Sequence, residues 1–428
     1  MAHSVILDRG LGVVLGRLTA DPQERRNVYW RTLAAVLYGA SGAFYGGELW
    51  SGFLTRSGFS NTQIGLLSSA GTCAAAFGLL AFMGLADRIQ ARIRVYSTCI
   101  LLTAVPPLVT VGIALIPRAR LPLAAMLVAL SVLAVFSALN NSLWIMLDYP
   151  ILVRTVSVGI RGRMFAILTT AYGLLAVLLG LLSARCLRQL AFPTGYVLFF
   201  AVAAGLSVLR AAAFVCQREL PDLAVPGASQ SVLPLSAIVR VLRLREFRLL
   251  AGPHVLRGLG SSIAGFAIPV GMRYLALPDG TPGFATAANQ TAGILGGIGL
   301  ALIADRWGAG RSTLLGDILL AGAMGCLLLS PSLPVFLALY FLLHFGRNIE
   351  DSAVPFGTTV VVPAEHMGAF SAARLMVMQG SAALGAPLFG YLFDHYNPLW
   401  LFAFGAVLKL GNGVWFWWVF RPASRPTE

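Results

Sequence analysis

The sequence predicts an all-α integral-membrane protein of twelve transmembrane helices, arranged as two pseudo-symmetric halves of six. Three observations carry this expectation. The 428 residues are 57% hydrophobic and only 11% charged, where soluble domains carry roughly a quarter charged residues. A water-facing fold cannot hide that much apolar surface, so the solvent must be lipid. The apolar residues fall into runs near the ~20 residues that a bilayer-crossing helix needs. Finally, an acidic-basic turn, Ala86-Asp87-Arg88, closes the second run of one half and returns as Ala304-Asp305-Arg306 at the same point of the other.

The first six runs lie near 30–53, 61–83, 95–116, 122–147, 164–184 and 195–217. The second six lie near 249–274, 283–304, 313–331, 334–355, 369–393 and 398–420. Strands are excluded because the runs are too long, lack alternation, and would leave backbone groups unpaired in lipid. The expected organisation is a tail (1–29), a half (30–217), a linker (218–248), a second half (249–420) and a short tail (421–428). Asp8, Arg9 and Arg17 break the apolar runs of the first tail, which therefore reads as a tail and not as a signal peptide. The linker opens with Pro221, Pro226, Gly227 and Ser229. It closes on the basic stretch Ile238 to Arg245, either a short helix on the membrane surface or a solvated end. Arg161-Gly162-Arg163-Met164-Phe165-Ala166 before the fifth run has a counterpart in His366-Met367-Gly368-Ala369-Phe370-Ser371 before the eleventh. Such weak repetition is expected of a membrane protein built from two duplicated halves.

The net charge is +14, from 30 Arg, one Lys and 17 acids. The arginines sit at the ends of the apolar runs, which points to membrane orientation and away from nucleic acid. With both termini on one side, 21 arginines fall on that side and six on the other. The termini and both Asp-Arg loops are therefore expected in the cytoplasm. The five cysteines lie in or beside apolar runs without metal-ligand spacing, so neither disulfide nor metal is expected. The chain has no phosphate-binding Gly-Lys-Ser/Thr loop, which argues against ATP as an energy source. No cofactor is expected.

The first loop runs from Met83 through Asp87, Arg88 and Gln90 to Arg92 and Arg94. The second runs from Ala301 through Asp305, Arg306 and Gly308 to Arg311. On these residues the chain resembles the major facilitator superfamily of secondary transporters, whose loop signature has the form G-x-L-A-D-R-x-G-R-[KR]. Asp87, Arg88 and Arg92 fit the first copy, while Met83 and Gln90 stand where its glycines belong. The second copy keeps Asp305, Arg306 and Gly308 but has Ala301 at its head. The resemblance implies alternating access around one site between the halves. It also implies that the loop acids hold the cytoplasmic helix ends together in the outward-open state. Gating is therefore assigned to Asp87, Arg88, Arg92, Asp305, Arg306 and Arg311. The bland alternative is that these arginines only fix topology.

A charge at mid-bilayer costs roughly 2.5–3.5 kcal/mol on insertion scales, so polar residues within the runs are the functional candidates. His344, Arg347, Asn348 and Asp351 share one face of the tenth run, with Glu350 three residues from Arg347 and expected to pair with it. Asn140, Asn141, Trp144 and Asp148 form a polar and aromatic stripe on the fourth. If the halves are superposed through Gly162 and Gly368, Asn141 lies opposite Arg347 and Trp144 opposite Glu350. The seventh run opens with His254, Arg257, Ser261 and Ser262. Glu48 follows Gly39, Gly42, Gly46 and Gly47 in the first. Asp317, Lys409, Asn289 and Gln290 are lesser candidates, and Arg210 is expected to snorkel to the surface. Substrate binding is assigned to Asn140, Asn141, Trp144, Arg257, His344, Arg347 and Asn348. Coupling is assigned to Glu48, Glu350 and Asp351. The competing reading makes these groups ion-pair locks and interhelical hydrogen bonds.

The expected function is proton-coupled uptake of a small polar organic solute by a monomer in the bacterial inner (plasma) membrane. Drug or metabolite efflux is the second reading. The fifth run lacks the glycine-proline pattern of many drug-proton antiporters of the resembled family, which weakens that reading. An integral-membrane transferase is a remote third, because the short loops carry no catalytic cluster. Asp87→Asn and Asp305→Asn are predicted to impair transport while leaving membrane insertion largely intact. Wild-type transport rates in both variants would leave the loops a purely topological role.

Overall fold

A computed structural model describes residues 19, 21–82, 89, 91–117, 120–219, 240–362 and 367–420. Fourteen helices of eight or more residues follow one another: α1 (Pro22–Tyr45), α2 (Gly47–Arg56), α3 (Asn61–Ala81), α4 (Arg92–Leu102), α5 (Val105–Leu115), α6 (Leu123–Thr155), α7 (Val158–Gln189), α8 (Thr194–Val215), α9 (Arg245–Ala264), α10 (Ala267–Tyr274), α11 (Thr281–Leu327), α12 (Leu333–Val361), α13 (Met367–His395) and α14 (Pro398–Val419). Strands are absent among the described residues. Three pairs, α1/α2, α4/α5 and α9/α10, are single spans interrupted by one or two residues. Conversely, α11 is two spans joined at Gly308, whose φ of 74° and ψ of 167° lie outside the helical region. The result is twelve spans in two halves.

Gly308 is the position where the turn needs glycine, because its left-handed φ strains any residue with a Cβ. The chain reverses there. Gly310 lies against Trp417 and Phe420, whereas Met324 lies against Gly405 nearer the start of α14. The second part of α11 therefore runs antiparallel to α14. This is the inner glycine of the second Asp-Arg loop, so that motif supplies the hairpin itself.

Among the described residues, eight spans are individually long and apolar enough to cross a bilayer. The other four are the first, eighth, ninth and tenth. The first carries Glu24, Arg25, Arg26, Arg31 and Glu48, and the tenth carries Arg347, Glu350 and Asp351. Many large apolar side chains face outward, Phe77, Val132, Leu178 and Leu384 among them, as lipid contact requires. On α14 the exposed Trp400 and Trp418 mark two levels about 27 Å apart at 1.5 Å per residue. That separation matches the ~30 Å hydrocarbon layer, where aromatic belts sit at the two interfaces.

Below, the side of the membrane that holds the start of α1 and the end of α14 is called the terminal side, and its opposite the far side. Bonds between the two halves gather on the far side. Asp394 at the end of α13 caps α3, accepting from Asn61 N (2.9 Å), Thr62 N (2.8 Å) and Thr62 Oγ1 (2.7 Å). A carboxylate at a helix N-terminus meets both unpaired N–H groups and the positive end of the dipole. Arg273 of α10 donates to Asn61 Oδ1 (2.8 Å) and to the Phe59 carbonyl, and Arg56 pairs with Asp279. Small residues bring the backbones together at this level. Gly283 of α11 lies against Ala184 and Gly180 of α7, and Gly65 of α3 lies against Ala386 of α13. These contacts close the far side.

Cysteine labelling tests the topology. In a cysteine-free background, Ser229→Cys in the linker and Ser332→Cys, exposed at the start of α12, are predicted to react with a membrane-impermeant maleimide from opposite sides. Labelling of both from one side contradicts twelve spans.

Candidate functional site

A cavity of about 640 Å³ lies between the halves, within the usual range for small-molecule sites. It forms where two spans break. Gly46, with ψ of 176°, ends α1 and starts α2, which places Glu48 in the first turn of α2. There the helix dipole and free N–H groups favour a carboxylate. Gly265 and Phe266 interrupt the seventh span in the other half, and they line the same cavity. Glu48 Oε1 accepts from Asn289 Nδ2 (2.6 Å) and from the Tyr340 hydroxyl (3.2 Å). Those partners come from α11 and α12, so a carboxylate of one half is held by neutral donors of the other. His344 stacks obliquely on Tyr340 at 4.5 Å, and the Arg347 side chain is 47% exposed on the cavity wall. Ser261 adds a hydroxyl.

Behind this wall, the C-terminal half holds a buried charge network. Glu350 is fully buried. It bonds Lys409 Nζ at 2.9 Å, Arg257 Nε at 2.9 Å and Asn412 Nδ2 at 3.0 Å. The same Asn412 amide donates to Asp317 Oδ2 at 2.8 Å. Arg257 also pairs with Asp351, which lies 3.6 Å from Arg347 Nε. Spans seven, nine, ten and twelve are tied together in this way. Three cations face three acids, so the ensemble is neutral if all are charged.

The N-terminal half has a sparser version of the same arrangement. Asp148 of α6 accepts from Arg31 Nη2 at 2.6 Å and from the Tyr96 hydroxyl at 2.8 Å. Arg210 of α8 is buried, with its guanidinium carbon 4.4 Å from the Tyr38 ring centroid and 5.1 Å from that of Trp144. These contacts correct the expectation that Arg210 snorkels to the surface. It lies on the bundle side of α8, where two aromatic faces meet it. Each such contact is worth about 0.5–2 kcal/mol, less than the several kcal/mol that burying a charge costs.

The structure distributes the sequence candidates unevenly. Glu48, His344 and Arg347 meet in the cavity between the halves. Asn141 and Trp144 line a separate pocket within the N-terminal half. Asn140 lines that pocket too, and its amide donates to the Cys99 carbonyl at 2.8 Å. The break after α4 explains this bond: the Thr103 N–H turns to Ile100, and Cys99 loses its helical partner. Asn348 donates to the His344 carbonyl of its own helix at 2.7 Å. Arg257 and Glu350 belong to the buried network. The expected Arg347–Glu350 pair does not form, because Glu350 points behind α12 while Arg347 reaches the i+4 residue Asp351. His254 is buried against Phe416 with neither ring nitrogen bonded. Asp87 and Arg88 lie outside the described residues, as does the side chain of Asp305. Arg306 and Arg311 are exposed and Arg92 is half-buried. Tyr340 and Asn412 were missed, although each sits one helical turn from a residue already singled out, His344 and Lys409 respectively. Lys409, which had no partner in the sequence, finds Glu350.

Residues 254–428 match the family model described as Major Facilitator Superfamily. Over more than nine-tenths of its length the chain resembles solved transporters at low identity. A structure of the nucleoside transporter NupG (D323A mutant) shares 12% identity, covers 92% of this chain and 98% of its own, and has a TM-score of 0.72. A bacterial homolog to human lysosomal transporter Spinster, inward-facing and unoccupied, shares 16% over 94% and 98%, with a TM-score of 0.66. The xylose transporter XylE from E. coli, partially occluded and inward open, shares 13% over 95% and 100%, with a TM-score of 0.66. The comparison with curated proteins found no match.

The network predicts a strong, coupled effect on stability. Glu350→Ala leaves Arg257 and Lys409 short of a counter-charge and is expected to cost about 3–5 kcal/mol, read as a large fall in melting temperature or folded yield. Glu350→Ala combined with Lys409→Ala is expected to recover part of that loss, because the stranded ammonium is gone. Strictly additive losses in the double variant would show that the pair is not coupled.

Proposed function

We propose that this protein, whose residues 254–428 match the Major Facilitator Superfamily model and whose fold resembles solved transporters over more than nine-tenths of its length, is a member of that superfamily, a proton-coupled secondary transporter taking up a small polar organic solute. The observation that carries this reading is the cavity at the two broken spans. Glu48 from one half and Asn289, Tyr340, His344 and Arg347 from the other converge on it. A site whose donors and acceptors belong to different halves is rebuilt when the halves rock, which is what alternating access needs. One half-exposed guanidinium, one carboxylate, a phenol, an imidazole and an amide suit a hydroxyl-rich or zwitterionic solute of up to a few hundred daltons. Nucleosides and sugars, the solute classes of the similar transporters NupG and XylE, are the first to test.

Among the acids assigned to coupling, Glu48 fits best. Glu350 is bonded to two cations and Asp351 lies between two arginines, so a proton on either unbalances an ion pair. Glu48 has only neutral partners, and protonating it strands no cation. Its proton then needs an acceptor, which cavity water or the solute supplies. Closure of the far side, with bonds such as Asp394 to Asn61 and Thr62, corresponds on this reading to a state facing the cytoplasm. The termini, the linker 218–248 and both Asp-Arg loops then lie on the cytoplasmic face of an inner (plasma) membrane, as the arginine distribution suggests.

The test begins with a thermal-shift screen of purified protein against sugars and nucleosides, followed by uptake of the hit into proteoliposomes under an inward proton gradient. Glu48→Gln is expected to abolish the acceleration by the gradient while solute exchange across the membrane continues. Arg347→Ala is expected to weaken solute affinity by about tenfold or more. If Glu48→Gln uptake still responds to the gradient as wild type does, Glu48 is not the coupling group.

A further inference from the structure

We propose that the N-terminal half contains a second binding site, a pocket for a small carboxylate with a flat aromatic body, anchored by Arg210. The pocket has a volume of about 450 Å³ and lies between α1, the α4/α5 break, α6 and α8. Tyr38, Tyr45, Asn141, Trp144 and Arg210 are the residues that matter on its wall.

Arg210 is the reason to expect an anion. It is 6% exposed, its guanidinium meets the neutral Tyr96 hydroxyl while its Nε has no hydrogen-bond partner, and among the described residues it has no carboxylate in an ion pair. The acid whose charge reaches it, Asp148, lies outside ion-pair distance and is already held by Arg31 and by the Tyr96 hydroxyl. The Tyr38 and Trp144 ring faces attract the guanidinium by less than its burial costs. A buried cation with that deficit gains most from an anion brought in from outside, bound through charge-assisted hydrogen bonds.

The other half shows what such an anion replaces. There the last span also carries a buried cation, Lys409, and Glu350 of α12 neutralises it at 2.9 Å. The spacing that carries Gly162 onto Gly368 carries Trp144 onto Glu350. The N-terminal half thus has an indole where the acid stands, and its last span carries its buried cation seven positions further along by that spacing, beside an open pocket. A ligand carboxylate supplies the missing charge. Its preferred body follows from the walls. Tyr38 and Trp144 present ring faces, and Trp144 Nε1 has no partner. Ser41 and Ser207 are bonded to each other and to helix carbonyls, so few free groups remain for a hydroxyl-rich ligand. Asn141, exposed at the pocket, offers an amide to the second carboxylate oxygen.

This site is a statement about binding and stands apart from the transport reading, so the test is an equilibrium one. Purified full-length protein in detergent is titrated with benzoate and with benzamide, its uncharged isostere, by calorimetry and thermal shift. Benzoate is expected to bind saturably, with benzamide at least about tenfold weaker. Arg210→Gln is expected to remove the preference for benzoate, and Asn141→Leu to reduce it, while Arg347→Gln in the other cavity leaves it in place. Equal affinity for the two probes in the wild-type protein overturns the proposal. So does loss of the benzoate response in Arg347→Gln, which moves the anion to the cavity between the halves. Should Arg210→Gln fail to fold, the wild-type pair of probes with Asn141→Leu and Arg347→Gln still decides the matter.

Discussion

A charge inside a bilayer must be met by a partner on another helix, because hydrocarbon offers none. That constraint organises the interior of this protein. Glu350 answers it by gathering Arg257 from α9 and Lys409 and Asn412 from α14. Four spans of the C-terminal half are thereby fixed by polar bonds as well as by packing. Lipid provides little hydrophobic drive between helices, so such bonds and close small-residue contacts carry much of the specificity of assembly. The network also sets what faces the cavity: with Glu350 turned inward, Arg347 and His344 are left on the opposite side of α12.

The breaks in the first and seventh spans use the same logic with backbone groups. A helix interrupted in a membrane exposes unpaired N–H and C=O groups, which are tolerated only beside a cavity or another polar group. Gly46 opens the first span beside Glu48, and the carboxylate sits where the new helix N-terminus favours it. Gly265 and Phe266 open the seventh on the other side of the same space. The break between α4 and α5 is resolved differently, by the Asn140 amide on the Cys99 carbonyl. Two of the three interruptions therefore build the central cavity, and the third is repaired within its own half.

The two halves share a plan and differ in electrostatics. In each, the first and last spans carry a buried cation and the fourth carries an acid. The C-terminal half closes that circle with Glu350, which meets both cations. The N-terminal half places Asp148 with Arg31 and leaves Arg210 between two rings beside an open pocket. A duplicated framework can diverge in this way because one side chain on the fourth span, Trp144 or Glu350, decides whether the last span's cation is neutralised from within.

Composition and the twelve apolar runs determined the fold class, because only helices satisfy their own backbone in lipid and each must be long enough to cross it. The doubled Asp-Arg turn disclosed the two halves, and Gly308 in it proved to be the hairpin between the eighth and ninth spans. The sequence also marked most of the polar residues that matter, since a charge in an apolar run is conspicuous. Their partners were decided by tertiary structure. Lys409 had no visible companion, Arg347 and Glu350 were close in sequence yet face different ways, and Arg210 was near enough to a helix end to suggest escape to the surface. Periodicity tells which residues share a face of one helix. It does not tell which face of another helix lies opposite. That depends on how spans distant in sequence pack, and so the bond from Glu48 to Asn289, made across 241 positions, was settled only by the fold.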